Sequence, residues 1–299
     1  MRIFRILCSL AYALMTLTPN GDAGIIVGVA PNSSSLGFFG DVYRIDTSTG
    51  GASPMGTQSF YASISGGQHI GEILTWSPVN PYYTNVFTGQ MSNEIHPSME
   101  TGLGAYDSSL DRILGVSPGG AGVQTPWLYS SPAAVCSPSC VGSTPGVPIG
   151  PLGVSGSSPW ILDYSPTTGL LGLQGTSLYR IDTTTGSAAL LVNLILPPSN
   201  DLLIPIPWEF AYDDATGKLI VAAAPTNWRN GGPLLVPAQH GLYAVDLQTG
   251  LGTLLTDQGP AITALARVDT PESSTVSSFV IGLSLIALAS CARYRRQRY

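Results

Sequence analysis

Charge is what this sequence has least of. Only 10% of its 299 residues are Asp, Glu, Lys or Arg, well under the share usual in soluble domains. Lysine occurs once, at Lys218, and histidine three times, at His69, His96 and His240. Half of the basic residues lie at the two ends: Arg2, Arg5, Arg293, Arg295, Arg296 and Arg298. Between residues 24 and 271 that leaves Arg44, Arg112, Arg180, Lys218, Arg229 and Arg267 against sixteen acidic residues. A nucleic-acid surface needs clustered Lys and Arg to displace counterions, so that class is excluded. A single lysine and so little charge are also unusual for a cytosolic enzyme. The composition suits an exported, Ser/Thr/Gly-rich surface protein.

Catalytic and metal-binding motifs are as scarce. The histidines are scattered and none belongs to an H-E-x-x-H pair. No loop of alternating Asp and Asn has calcium spacing. "GVSPG" (115–119) matches the letters of a nucleophile elbow. That elbow uses the N–H after the serine for its oxyanion hole; Pro118 stands there and has none. "NEIHPSME" gathers Glu94, His96 and Glu100. This densest titratable cluster reads as a solvated loop, with an acid–base or metal site as the alternative. No cofactor is expected. Cysteine is rare too, four in all. Cys8 and Cys291 lie in the terminal segments. Cys136 and Cys140, in "CSPSC", are expected to form a disulfide in an oxidising compartment, pinning a Pro/Ser loop.

What the sequence does have is glycine, 35 residues, proline, 24, and an internal repeat. "VYRIDTSTG" (42–50), "LYRIDTTTG" (178–186) and "LYAVDLQTG" (242–250) share one pattern. Apolar and polar residues alternate at strand period. Asp46, Asp182 and Asp246 then end each strand, where a carboxylate can accept the N–H groups that follow. Gly50, Gly186 and Gly250 close the turn with a positive φ. The repetition marks these aspartates as turn residues rather than catalytic groups. A second element recurs around Trp76, Tyr106, Tyr164 and Tyr212: an apolar strand end, an aromatic, a turn and a returning strand. Its mean spacing of about 45 residues is the length of a four-stranded propeller blade. The expected fold is therefore all-β, a β-propeller of about five degenerate four-stranded blades at roughly 25–58, 59–98, 99–157, 158–206 and 207–259. The segment 261–269 would complete the first blade beside residues 25–30. A β-sandwich is the alternative, although it gives no reason for tandem copies of one hairpin.

The termini read differently. Residues 1–23 run from Arg2 and Arg5 through an apolar stretch to small residues, the order of a secretory signal helix. Cleavage after Ala23 leaves a longer apolar stretch than cleavage after Ala13. At the other end, Pro271-Glu272 and a Ser-rich spacer precede an uncharged run, 276–292, and then Arg293, Arg295 and Arg296. That run is at the short end of what spans a bilayer. The arginines after it would keep the terminus cytoplasmic and the body outside. Segment 270–299 resembles the PEP-CTERM sorting tail, although Ser273 stands where that pattern has its second proline. The resemblance implies export, processing by an exosortase-type enzyme, and a link to extracellular polysaccharide. A plain single-pass anchor is the alternative. The repeat of residues 24–269 likewise resembles the degenerate blades of bacterial extracellular propellers.

Binding residues favour loops on rigid scaffolds. "PTNWRNGGPLLVPAQHG" (225–241) adds length to the last blade, and Trp228, Arg229 and Asn230 offer an aromatic face beside hydrogen-bond donors, which suits a sugar or peptide. The reading is a non-enzymatic binding or structural module. The enzymatic alternative is a secreted hydrolase or lyase using Glu72, Glu94 and Glu209 at a central channel.

Overall fold

The computed structural model describes residues 24–31, 39–60, 64–66, 72–75, 82–92, 104–117, 125–132, 146–155, 160–199, 204–224 and 239–268. All lie within one compact unit, 24–271. The leader (1–23) and tail (270–299) readings, Pro271, Glu272 and the terminal arginines included, fall outside the described residues, as do Cys136 and Cys140.

The described chain is all-β, and its strands form five four-stranded antiparallel sheets. Blade one holds β1 (Ile25–Pro31), β2 (Phe39–Ile45) and β3 (Ala52–Phe60); blade two holds β4 (Ile64–Gly66), β5 (Glu72–Thr75), β6 (Tyr82–Asn85) and β7 (Met91–Ser92). Blade three holds β8 (Gly104–Asp107), β9 (Arg112–Ser117), β10 (Trp127–Pro132) and β11 (Val147–Pro151). Blade four holds β12 (Ile161–Ser165), β13 (Gly169–Gln174), β14 (Ser177–Ile181) and β15 (Ala188–Asn193). Blade five holds β16 (Ile206–Asp213), β17 (Lys218–Ala224), β18 (Gly241–Val245) and β19 (Gly252–Thr256). The last strand, β20 (Ala264–Val268), pairs antiparallel with β1, Ile25 opposite Val268 and Val29 opposite Ala264. The first strands of successive sheets, β20, β4, β8, β12 and β16, contact one another in cyclic order. That ring, closed by the two ends of the described chain, is a β-propeller.

Closure explains the hydrophobic pattern. A blade inside a ring is covered on both faces, so its middle strands read as continuous apolar runs. "KLIVAAA" in β17 alternates between neighbours. Leu219, Val221 and Ala223 pack toward blade four with Ile161, Leu171 and Leu173. Ile220, Ala222 and Ala224 pack toward blade one with Ile26, Ile45 and Leu265. Val27, Val29 and Val42 meet Ile73 and Val86 of blade two. Leu114, Val116 and Leu128 of blade three meet Leu162, Leu170 and Ile181 of blade four. Each fully buried Val, Leu or Ile side chain stabilises by roughly 1.5–3 kcal/mol, and these side chains lie in the seams between sheets.

The repeated hairpin has the expected turn. Asp182 accepts the Thr184 and Thr185 N–H groups at 2.7 and 3.2 Å, and Gly186 donates to the Asp182 carbonyl at 2.8 Å with φ +80°. Asp46 and Asp246 repeat the geometry, accepting from Ser48 at 2.9 Å and from Gln248 and Thr249 at 2.8 and 2.9 Å. A fourth copy escaped the sequence pattern. Asn85 accepts the Phe87 and Thr88 N–H groups at 3.0 Å, and Gly89 has φ +70°. Its "YTNVFTG" (83–89) carries an amide where the others carry a carboxylate.

One sequence reading is corrected. Tyr106, Tyr164 and Tyr212 lie on β8, β12 and β16, the first strands of their sheets; Trp76 itself lies outside the described residues, in the stretch of sequence between β5 and β6, a second and a third strand. "LTWSPVNPYY" thus joins β5 to β6 and belongs to a different hairpin, because an aromatic before a turn is common to hairpins in general. Asp111 is the described non-glycine residue with positive φ, +48°. It aligns with Gly217 of blade five, φ +68°, and the Tyr106 hydroxyl donates to its carboxylate at 2.9 Å. Asp tolerates this conformation better than most residues.

Candidate functional site

In a four-stranded meander the first-to-second and third-to-fourth turns fall at one end of the sheet. The aspartates of the repeat and the polar ends of the first strands therefore share one rim of the ring. There, carboxylates sit inside otherwise apolar seams and join neighbouring blades.

Between blades three and four, Asp107 closes β8. Its Oδ1 accepts from Ser109 N–H at 3.0 Å and Oγ at 2.6 Å, and its Oδ2 faces Arg112 Nε at 2.9 Å. Tyr164 of blade four donates its hydroxyl to the same carboxylate, and Arg112 Nη2 donates to the Thr183 carbonyl of blade four at 3.3 Å. Burial raises the Asp107 carboxyl, but the bonds from Ser109, Arg112 and Tyr164 outweigh it and hold the group below its ordinary value. Burial, then the bond to Asp111, pushes the Tyr106 phenol above the usual range.

Between blades four and five, Asp163 is 3% exposed and its Oδ2 accepts the Tyr212 N–H at 2.9 Å. Two residues on, Ser165 donates its hydroxyl to Asp214 Oδ1 at 2.7 Å and accepts the Thr167 N–H at 3.1 Å. The other oxygen of Asp214 pairs with Arg267 of β20. Asp214 thus ties blades four, five and one together. Asp213 turns back into its own hairpin, accepting from Ala215 N–H at 3.0 Å and Thr216 Oγ1 at 2.7 Å.

Of the residues singled out in the sequence, Asp46, Asp182 and Asp246 stand exposed in their turns. Bonds from the following Ser and Thr hydroxyl and N–H groups hold Asp46 and Asp182 down to about 2. Gly50, Gly186 and Gly250 do more than admit a positive φ. Each presses against the outer strand of the preceding blade: Gly50 on Leu255 and Thr256, Gly186 on the Gly150 carbonyl, and Gly250 on Val192 and the Asn193 carbonyl. Glu72 begins β5, one strand out from the innermost, and Glu209 lies on innermost β16 at a bulge; both are buried. They belong to blades two and five, with blade one between, and so do not share a seam. Trp228, Arg229 and Asn230, in the connection from β17 to β18, lie outside the described residues, as do Glu94, His69 and His96. Among the described residues, no three His, Cys, Asp or Glu side chains gather closely enough to hold a metal ion. The sequence reading passed over Asp107, Asp163, Ser165, Asp214 and Arg267. For Asp163 and Arg267 the signal was a charge within an apolar strand, as in "ILDYS" and "ALARV".

The sequence matches no protein-family model and no curated protein. Among solved structures, the TolB protein of Acinetobacter baumannii superposes with a TM-score of 0.43 at 15% identity, over 81% of this chain and 55% of that one. This chain thus spans about half of its length. A protein of unknown function from Bacteroides caccae gives 0.43 at 10% identity, over 82% and 99%. The periplasmic gluconolactonase of Pseudomonas aeruginosa gives 0.40 at 11%, over 83% and 100%. These likenesses are distant. The propeller assignment rests on the sheet order and the closing pair of β1 and β20.

Proposed function

We propose that this chain is an exported β-propeller displayed at the cell surface or in the extracellular matrix. It acts there as a non-enzymatic binding or structural module, with extracellular polysaccharide as its partner. The observation that carries this reading is the use of the buried charges. Asp107, Asp163, Asp214 and Arg267 are engaged in bonds that join one blade to the next, so these buried charges serve rigidity. A rigid ring is the scaffold on which loops hold binding residues. The sequence ends support display. Residues 1–23 act as the export signal, and 270–299 as a tail that an exosortase-type enzyme processes or that remains as an anchor in the membrane. Trp228 offers its face to a sugar ring, with Arg229 and Asn230 donating to hydroxyls. The acidic body favours a neutral polysaccharide over a polyanion.

A glycan array, followed by pull-down of matrix polysaccharide, tests the proposal. Wild-type protein retains a neutral glycan class, and Trp228→Ala weakens that binding by about tenfold or more. Absence of any retained glycan or matrix partner overturns the binding role.

A further inference from the structure

The Asx turn of the repeat occurs in blades one, two, four and five, and in blade two its exposed residue changes character. At its third position stand Ser48 in blade one, Thr184 in blade four and Gln248 in blade five; blade two has Phe87, 45% exposed. The same copy carries Asn85 in place of the aspartate and so no charge. The turn after the first strand shows a similar exchange. Thr168 of blade four and Thr216 of blade five stand just before Gly169 and Gly217. The matching residue of blade three is Leu110, 62% exposed, just before Asp111. Ser48, Thr184 and Thr216 spend their hydroxyls on the carboxylate of their own turn. Phe87 and Leu110 present an apolar side chain to solvent instead. Single exposed apolar residues are ordinary on a protein surface. These two are turn tips on one rim, and their blades are neighbours through β4 and β8.

The same rim is where the chain leaves the ring. β20 ends there at Val268, opposite Ile25 of β1, and the next first strand along is β4 of blade two. Seven residues, 269–275, separate Val268 from the uncharged run 276–292. Fully extended they reach about 25 Å. A domain of this length has a radius of gyration of roughly 18 Å. Such a tether is too short to carry the chain around the ring to its other rim, so the rim of the tight turns stays the nearer one to whatever holds 276–292.

Taking 270–299 as the membrane tail of the function proposed above, we propose that this rim is a membrane-facing surface. Phe87 and Leu110 enter the lipid interface beside the tail, a depth at which aromatic and aliphatic side chains leave water while their polar neighbours stay hydrated. Asp111, next to Leu110, keeps its carboxylate on the Tyr106 hydroxyl. The exposed carboxylates Asp46, Asp182 and Asp246 stand on blades one, four and five. They are repelled by anionic headgroups, so the surface fits a zwitterionic bilayer. The connection from β17 to β18 leaves and re-enters the ring at the opposite rim and then faces away from the membrane, toward a matrix partner.

The single lysine makes the orientation measurable. Lys218→Arg/Gln90→Lys moves it into the turn of blade two beside Phe87; Lys218→Arg/Gln258→Lys moves it past the end of β19, on the opposite rim. Both glutamines are exposed. Each full chain carries an amine-reactive donor dye and is placed in phosphatidylcholine nanodiscs with an acceptor dye on the headgroups; the α-amine is common to both chains and cancels. Energy transfer from the Gln90→Lys chain exceeds that from the Gln258→Lys chain. Adding Phe87→Ser and Leu110→Thr, the residue types other blades carry at these positions, lowers the transfer from Gln90→Lys. Equal transfer from the two rims, or greater transfer from Gln258→Lys, overturns the surface and leaves the tail intact. Transfer unmoved by Phe87→Ser/Leu110→Thr overturns the role of the two tips. A chain that flotation shows outside the nanodiscs overturns the membrane tail, and this surface with it.

Discussion

Gly250 and Gly153 share one backbone conformation, φ +73° in both, and differ in what surrounds them. A Cβ on Gly153 meets nothing within 4 Å, whereas one on Gly250 overlaps the Asn193 carbonyl oxygen and crowds Val192 of the neighbouring blade. The pair separates the two costs of replacing a glycine. Gly153→Ala carries the left-handed penalty alone, about 1 kcal/mol. Gly250→Ala adds the displacement of a packed strand, and the total reaches roughly 2–4 kcal/mol. Denaturant unfolding of the two variants measures the difference directly; equal midpoints contradict the seam role. The sequence showed the first of these demands, since the turn pattern requires a positive φ at Gly50, Gly186 and Gly250. It did not show the second, because Val192 and Asn193 belong to the preceding blade.

At the scale of the element, the Asp-x-x-Thr-Gly hairpin is held by its side chain as much as by its strands. In blade four the Asp182 carboxylate also accepts the Thr184 hydroxyl, at 2.6 Å, beside the N–H groups. Asp182→Ala removes all these bonds and lowers the Tm. Asp182→Asn keeps an acceptor oxygen and retains most of the stability, as Asn85 already does in blade two. The same bonds give an acid response. Asp46 and Asp182 titrate at about 2 in the folded chain against 3.8 ordinarily. Their contribution is complete above about pH 4 and is lost as pH falls toward 2. Melting curves between pH 2 and pH 4 check this. An unchanged acid transition in Asp182→Asn shows that the carboxylate contributes nothing to it. Three of these hairpins were legible because each is local, a strand, a turn and a strand consecutive in the chain. The hairpin at Asn85 and the place of Trp76 were not, since a single letter changed in one and the strand's position in its sheet was unstated in the other.

For the molecule as a whole, β20 is the element on which the others depend. It pairs with β1 across nearly the whole described chain, and Ala264, Leu265, Ala266 and Val268 are all buried. Without it β1 has an open edge, and the seams toward blades two and five lose one wall. The loss, roughly 5–10 kcal/mol from buried side chains alone, matches the entire stability of an ordinary domain. A chain ending at residue 260 is therefore expected to give no cooperative melt and to aggregate, while one ending at 271 melts as a single transition. Circular dichroism and size exclusion distinguish the two. Cooperative unfolding of the shorter chain contradicts closure through β20.

Local physics was enough for the sequence to determine the all-β character, the hairpin unit, its repetition and the pairing of the first and last strands. Alternation, turn chemistry and spacing are properties of neighbouring residues and survive without a fold. Tertiary structure alone decided what the charges do. Asp163 and Tyr212 are 49 residues apart, and Ser165, Asp214 and Arg267 come from three blades. In sequence they are polar residues far apart along the chain. Only when the ring closes do they face one another in a seam that excludes water, and there burial pushes the Asp163 carboxyl above its ordinary value.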